Sequence, residues 1–413
     1  YLPAIIIDQD LTFNKTISKF QNWYPETLVP DVQECQPQEP LCNEYYGFRP
    51  QSNQIWADKY PVGLAVIWTP FFFAADLIVQ FTGSLRDGYS PIYQYAIALC
   101  GMIFFQFGLY FSYKIFRGRF TKKVSLILLS ILVFGTNLIH YAVYEPSMSH
   151  IYSFTLITAC LYLLTKYLTK PTDKLLFLIG LLVAFIGLVR NSNFVFAIIP
   201  FIVIFIRTPK KVKLKTFLKT IMLWGITTLI VFIPQILYWV YSKGSVLTFS
   251  YVNETFNLLE PHIFDILFNI ESNGLFVWHP LLILAIPGFY FWIKTKEPLS
   301  IVSIVFLIFM IYLLSTWWAY WFGFSFGHRA FTDFLILFMI PMGYLIKFIF
   351  KQKEIVIIIF FATVIFFIFQ NFIQISNYWR GIVGSFNLSW ENYLNNYFNP
   401  NIDLGRLLEK IRD

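Results

Sequence analysis

The twenty residues VGLAVIWTPFFFAADLIVQF, Val62 to Phe81, decide how the rest of this chain is laid out. They carry a single charge, Asp76, and are long enough to cross the ~30 Å of hydrocarbon in a bilayer. If they cross, the segments on either side lie on opposite faces of a membrane. If they lie along the surface or dip and return, both flanks share one face, and every later span is inverted. Hydropathy cannot choose between these arrangements, so the choice passes to the charges around the other apolar runs.

The whole chain has the composition of an integral membrane protein. Of its 413 residues, 57% are hydrophobic, 21% aromatic and 13% charged, and the mean hydropathy is +0.61. A soluble domain carries about 25% charged residues and about 45–50% apolar ones. Disorder, a coiled coil and a small disulfide scaffold are excluded. Runs of spanning length lie near 91–115, 124–144, 148–168, 174–190, 193–207, 220–242, 274–293, 299–318, 331–347 and 354–376.

Lys and Arg concentrate between these runs, at 114–123, 166–174, 207–219, 294–296 and 347–353. Successive clusters are two spans apart, so all five fall on one face, which the positive-inside rule makes cytoplasmic. That face holds 19 of the 31 basic residues and only Asp173, Glu297 and Glu354 among the acids. The formal charge of +8 therefore divides into +16 inside and −8 outside, and it reports orientation rather than a nucleic-acid partner. The 91–115 span then starts outside. Residues 1–61 are acidic and Pro-rich and read as outside too, so 62–82 is expected to be interfacial and non-spanning, with Asp76 at a partly wet position. In the competing arrangement 62–82 spans and the N-terminal loop is cytoplasmic.

The expected fold is an all-α polytopic membrane protein of about 10 transmembrane helices. Residues 1–90 form a first outer loop with juxtamembrane helices, 91–376 a helix bundle, and 377–413 an outer tail. A span preceding Tyr1 would make eleven. The Ile, Lys, Asn and Phe bias points to a bacterial chain, in which the outer side is the periplasm and the membrane the inner one. Cys35 and Cys42 share the outer loop and can form a disulfide there, or serve as two thiol ligands, while Cys100 and Cys160 lie within spans. The sequons at Asn14, Asn253 and Asn387 all fall outside, but their number is what an Asn-rich chain gives by chance.

Chemistry is expected on the acidic face. All five histidines, 140, 150, 262, 279 and 328, map to outer loops or outer ends of spans, as do 20 of the 23 acids. Glu145 and His150 share a very short outer connector and are the candidate metal ligands. Arg190 sits at the end of an apolar run, which is costly without an anion or carboxylate partner. Trp317 to Arg329 is an aromatic belt ending in His328 and Arg329, and an Arg directly before a span is placed to hold a lipid phosphate. In the first loop Asp8 and Asp10 form a D-x-D pair, suited to a divalent cation or to turn and helix-cap use. Asp58 and Lys59 precede the interfacial segment.

In this order the motifs resemble the GT-C superfamily of polyprenyl-phosphate-dependent membrane glycosyltransferases, and within it the bacterial aminoarabinose transferases and protein O-mannosyltransferases. Tyr1-Leu2-Pro3-Ala4 looks like the opening of a first juxtamembrane helix. Asp58-Lys59-Tyr60-Pro61-Val62-Gly63 resembles the acidic-Lys-Pro motif that opens the second. Gly187 to Asn193 resembles the family's R-P-x-N turn with Asn for Pro, and Gly327-His328-Arg329 its G-x-R. The family's principal catalytic Asp would lie just upstream of Tyr1, with Asp8 or Asp10 slightly late as substitutes.

The resemblance implies that a sugar on a polyprenyl phosphate is transferred, with inversion, to an outer-face lipid, glycan or protein acceptor. The transition state would have oxocarbenium character. Asp58 would support or replace the upstream acid as base. Arg329, then Lys59, Arg190 and His328, would hold the departing phosphate, and a divalent metal ion is a candidate cofactor. The alternative is a non-catalytic GT-C-like subunit, a scaffold or lipid-binding partner in a larger membrane complex. A transporter, channel or nucleotide-driven pump is disfavoured, because charges are nearly absent from span centres and no P-loop occurs.

Overall fold

The computed structural model describes residues 1–24, 44–45, 47–51, 55–251, 254–323, 325–384 and 388–398. It is mostly helical. A short π-helical turn, Pro3–Asp8, leads into α1 (Asn14–Trp23). Strands β1 (Phe48–Pro50) and β2 (Trp56–Asp58) form a short antiparallel hairpin within the otherwise helical fold. Then follow α2 (Gly63–Thr82), α3 (Pro91–Arg117), α4 (Lys122–Phe134), α5 (Leu138–Val143), α6 (Ser149–Thr169), α7 (Asp173–Val189), α8 (Ile198–Arg207) and α9 (Lys213–Lys243). The remainder comprises α10 (Ile263–Phe268), α11 (Leu275–Trp278), α12 (Ala285–Ile293), α13 (Pro298–Ser315), α14 (Leu335–Ile349), α15 (Glu354–Trp379) and α16 (Trp390–Asn395).

Among the described residues seven helices are long and apolar enough to cross a membrane. Six coincide with expected spans, and the seventh is Gly63–Thr82 itself. The other expected runs are short or broken, for local reasons. The 124–144 run divides at Gly135 into α4 and α5, which frees backbone carbonyls in the middle of an apolar stretch. The Asn371 side chain donates to both Phe134 O and Thr136 O at 2.9 Å, which satisfies them. The 274–293 run is cut before Pro280 and continues as a 3-10 turn into α12, and a 3-10 turn likewise opens α8.

The chain divides into two compact units. The first comprises Tyr1–Ile115 and Ala142–Phe256. In it α3 and α6 run parallel: Thr155 Oγ1 donates to Phe104 O at 2.8 Å, and the Phe111 and Tyr162 rings lie 5.6 Å apart further along. Helices α7 and α9 are also parallel, with Trp224 Nε1 donating to Leu176 O at 3.1 Å and Trp224 packed over Gly180. Their basic ends are joined by Lys219–Asp173 at 2.6 Å. Helix α2 meets the opposite ends. Gly63 abuts the Leu188 carbonyl in the last turn of α7, and Trp68 Nε1 donates to Tyr152 OH in the first turn of α6 at 2.8 Å. Tyr93, in the first turn of α3, donates to Asp76 Oδ1 at 2.7 Å. From Gly63 to Asp76, about 20 Å of helix, α2 thus meets terminal turns of three other helices.

The second unit comprises Phe116–Tyr141 and Asn257–Asp413. Helices α12 and α14 pack in parallel at glycine distance: a Cβ on Gly288 would lie 2.3 Å from Pro341 O, and the Phe291 and Phe348 rings stack at 4.4 Å. The basic connectors meet here too. Arg119 Nη2 is 2.6 Å from Glu297 Oε1, and Lys123 Nζ lies 4.6 Å from the centre of the Phe350 ring. Within each unit, connectors that the charge pattern assigns to one face are neighbours in space.

Candidate functional site

The sequence-selected residues of the first unit gather where the hairpin docks against the helix ends. The register pairs Phe48 with Asp58 and Arg49 with Ala57. Phe48 turns inward with Phe13, Val62, Leu188 and Tyr238 as an apolar cluster, against which Trp56 of β2 packs. The turn into β1 needs Gly47, whose φ is +88° and where a Cβ would lie 2.7 Å from the Tyr60 ring. The Lys59 N–H donates to Gly47 O at 2.9 Å, which completes the pairing. The Val62 N–H, at the head of α2, donates to the buried Gln235 Oε1 at 2.8 Å.

Asp58 is held in an aromatic setting. Its backbone N–H donates to the Tyr238 hydroxyl at 2.7 Å, and its Oδ1 accepts the Tyr60 N–H at 2.9 Å. Tyr1 closes the group, its ring 5.0 Å from Tyr238 and its hydroxyl donating to Tyr60 O at 2.7 Å. Burial raises the Asp58 carboxyl from 3.8 to about 6, against the Tyr60 hydrogen bond and the Lys59 ammonium, which favour the anion. A carboxyl poised there can accept a proton near neutral pH.

Lys59 is engaged by carboxylates rather than held open for a phosphate. Its Nζ lies 2.7 Å from Glu44 Oε1 and 3.3 Å from Glu254 Oε1. Arg49 bridges the same two acids, at 3.0 Å from Glu44 and 3.2 Å from Glu254. Burial disfavours the Lys59 ammonium, yet the bonds to Glu44 and the pull of Glu254 raise its pKa overall. Two cations and two anions therefore form one buried network, tying the hairpin to the loop after α9.

Arg190, the C-cap of α7, is brought to His150 at the start of α6, with Nη1 3.0 and 3.2 Å from the two ring nitrogens. One donor cannot point along both lone pairs, so the guanidinium lies across the imidazole rather than end-on. A cation against this ring makes His150 a poor metal ligand. Glu145 is half-buried in the preceding turn, and no three His, Cys, Asp or Glu side chains among the described residues gather as a metal site. Arg190 also acts electrostatically on Tyr251, whose ring lies 5.6 Å from Lys59 Nζ.

The D-x-D pair serves local structure. Asp8 is buried against Lys19 at 2.7 Å. Asp10 accepts the N–H groups of Thr12 and Lys15, both at 2.9 Å, and the Thr12 hydroxyl, which fixes the entry to α1. Partial burial opposes the Asp10 anion, but these bonds lower its pKa. Cys35 and Cys42 lie outside the described residues.

His328 and Arg329 belong to the second unit. His328 is buried, its Nε2 3.1 Å from Tyr320 O and its ring packed by Phe322 and Phe331. A neutral imidazole bound this way donates through Nε2. Arg329 is half-buried at the head of a 3-10 turn, Arg329–Phe334. Gly327 is required by its φ of +65° and by His279, whose Nε2 would lie 2.4 Å from a Cβ.

Sequence reasoning missed Glu44, Arg49, Glu254 and Lys243. Lys243 ends α9, half-buried and within electrostatic reach of Arg49, and no carboxylate among the described residues bonds to it. Its signal was available, since a Lys closing a long apolar helix on the acidic face breaks the charge pattern. Nothing in the spacing of Glu44, Arg49 and Glu254 announces their network, because Glu254 is 205 residues from Arg49. No protein-family model, curated protein or solved structure matches the chain.

Proposed function

We propose that the chain is a GT-C-type membrane glycosyltransferase that moves a sugar from a polyprenyl-phosphate donor to an acceptor on the non-cytoplasmic face, with inversion. The observation that carries this proposal is Asp58: a carboxyl with a pKa near 6, beside Lys59, at the end of the strand that leads into an apolar helix. In this proposal Asp58 accepts the acceptor's proton as its oxygen attacks the anomeric carbon, and the phosphate leaves with the electrons of the cleaved C–O bond. Arg190 and Lys243 of the first unit face that charge, with Arg329 assigned by resemblance. Lys59, already paired with two acids, positions the hairpin.

Ten spans, a plasma-membrane location and a periplasmic active face belong to the same proposal. Helix α2 would then lie along the outer interface. Its contacts with the terminal turns of α7, α6 and α3 support that placement, because a helix crossing beside them would reach their midpoints and far ends. Its exposed Phe73, Leu77 and Phe81 would meet lipid, and the donor's prenyl chain would enter alongside.

The neutralised Arg49–Lys59–Glu44–Glu254 network favours a second reading, a lipid-binding subunit without catalysis, since such a network is structural rather than anion-seeking. Membranes carrying the chain, supplied with a radiolabelled polyprenyl-phosphate sugar and an extract of acceptors, separate the two. Transfer by wild type, lost in Asp58→Asn while donor lipid is still bound, supports the enzyme. Donor binding without transfer by wild type supports the subunit. Unchanged transfer in both Asp58→Asn and Arg329→Ala removes the site assignment.

A further inference from the structure

We infer that the turn Asn257–Glu260 of the second unit inserts Leu258 and Leu259 into the lipid leaflet beside the Ser315 end of α13. The Glu260 N–H donates to Asn257 O at 3.0 Å, which closes a tight turn with the two leucines at its corner. Corner positions in water favour Gly, Pro, Asn, Asp and Ser, whose backbones or short polar side chains suit them. Here Leu258 is 52% and Leu259 97% exposed. An aqueous loop gains nothing from that pair, whereas hydrocarbon would cover it.

The depth of the turn is fixed by α13. The Asn257 N–H donates to Thr316 O at 2.6 Å and the His262 N–H to Ser315 O at 3.0 Å, so the segment caps carbonyls left open at the helix end. Tyr312, one turn inside that end, donates its hydroxyl to Leu258 O at 2.7 Å. The turn therefore folds back alongside the span instead of rising away from it. Ile301, Val305, Ile308 and Tyr312 form an exposed apolar stripe at helical spacing, and Leu258–Leu259 continues it. Polar partners hold the other flank: His262 bonds Asp265 at 3.0 Å and stacks on Tyr320 at 3.9 Å. Apolar tip and polar flank together fit the boundary between acyl chains and headgroups.

The test needs no substrate and stands whether or not the chain transfers sugars. The full chain, its four cysteines replaced by alanine, receives a nitroxide label at Leu259→Cys or, as an aqueous control, at Lys351→Cys. Both variants are reconstituted into phosphatidylcholine vesicles. Each position is exposed, so the label does not disturb packing. Oxygen, which partitions into acyl chains, should relax the label at 259 severalfold more than a water-soluble nickel chelate does, with the reverse at 351. Chelate dominance at both positions overturns the inference.

Discussion

Replacing Asp58 with Asn should stabilise this protein at neutral pH, and by an amount that depends on pH in one direction only. The carboxyl's pKa is about 6 in the folded chain against an ordinary 3.8, so folding favours its protonated form. Below pH 3.8 the group is neutral in both states and the two proteins should be equally stable. As pH rises from about 4 to about 6 the unfolded chain ionises first, and wild type loses stability relative to the variant. Above pH 6 the difference saturates, and the gap between the two pKa values corresponds to about 3 kcal/mol as an upper bound. The Asn amide oxygen can still accept the Tyr60 N–H, so the substitution removes the charge and keeps the hydrogen bond. Thermal unfolding of the detergent-purified pair from pH 4 to pH 8 measures the difference. An Asn variant less stable than wild type at pH 7.5, or a difference independent of pH, would refute a desolvation of this carboxyl that outweighs its Tyr60 and Lys59 partners. If Asp58 is also the base, wild-type transfer should fall tenfold per pH unit below about 6.

Four further outcomes are expected. Glu254→Gln leaves Arg49 and Lys59 sharing Glu44 alone, and should cost about 3–5 kcal/mol in thermal or denaturant unfolding, because a buried charge loses its partner. Gly63→Ala places a methyl 2.3 Å from the Leu188 carbonyl, a backbone atom that cannot rotate aside, and should cost about 1–3 kcal/mol by the same assay. Asn371→Leu keeps the branched shape at Cγ but strands the carbonyls of Phe134 and Thr136, and should cost about 1–3 kcal/mol for each. Cysteines at Ser84 and Gly118, both exposed, should label from opposite sides of sealed vesicles, and labelling of both from one side would mean that α3 does not cross.

The helices that are continuous and apolar were legible in the sequence, because span length follows from bilayer thickness alone. Their breaks were not. The interruptions at Gly135 and before Pro280 survive inside apolar stretches only where a partner such as Asn371 satisfies the freed carbonyls, and that partner lies over 230 residues away. The candidate site was half legible. Arg190 stands out for a costly position at the end of an apolar run and Asp58 for its place in the motif that opens the 62–82 segment, and the structure gives each a specific neighbour. Lys59 was chosen by the same logic, but its carboxylates arrive from Glu44 and Glu254, so its charge is spent within the fold.

The sequence by itself determined that this is a helical membrane protein whose Lys and Arg cluster between apolar runs, because hydropathy and charge act residue by residue, without regard to what packs where. Tertiary structure alone decided which charges are paired and which carboxyl is desolvated. Those properties depend on distances of about 3 Å between segments far apart in the chain. The stretch 62–81 belongs to both: its composition makes it apolar enough to cross, and only the tertiary structure shows that it meets the terminal turns of α7, α6 and α3.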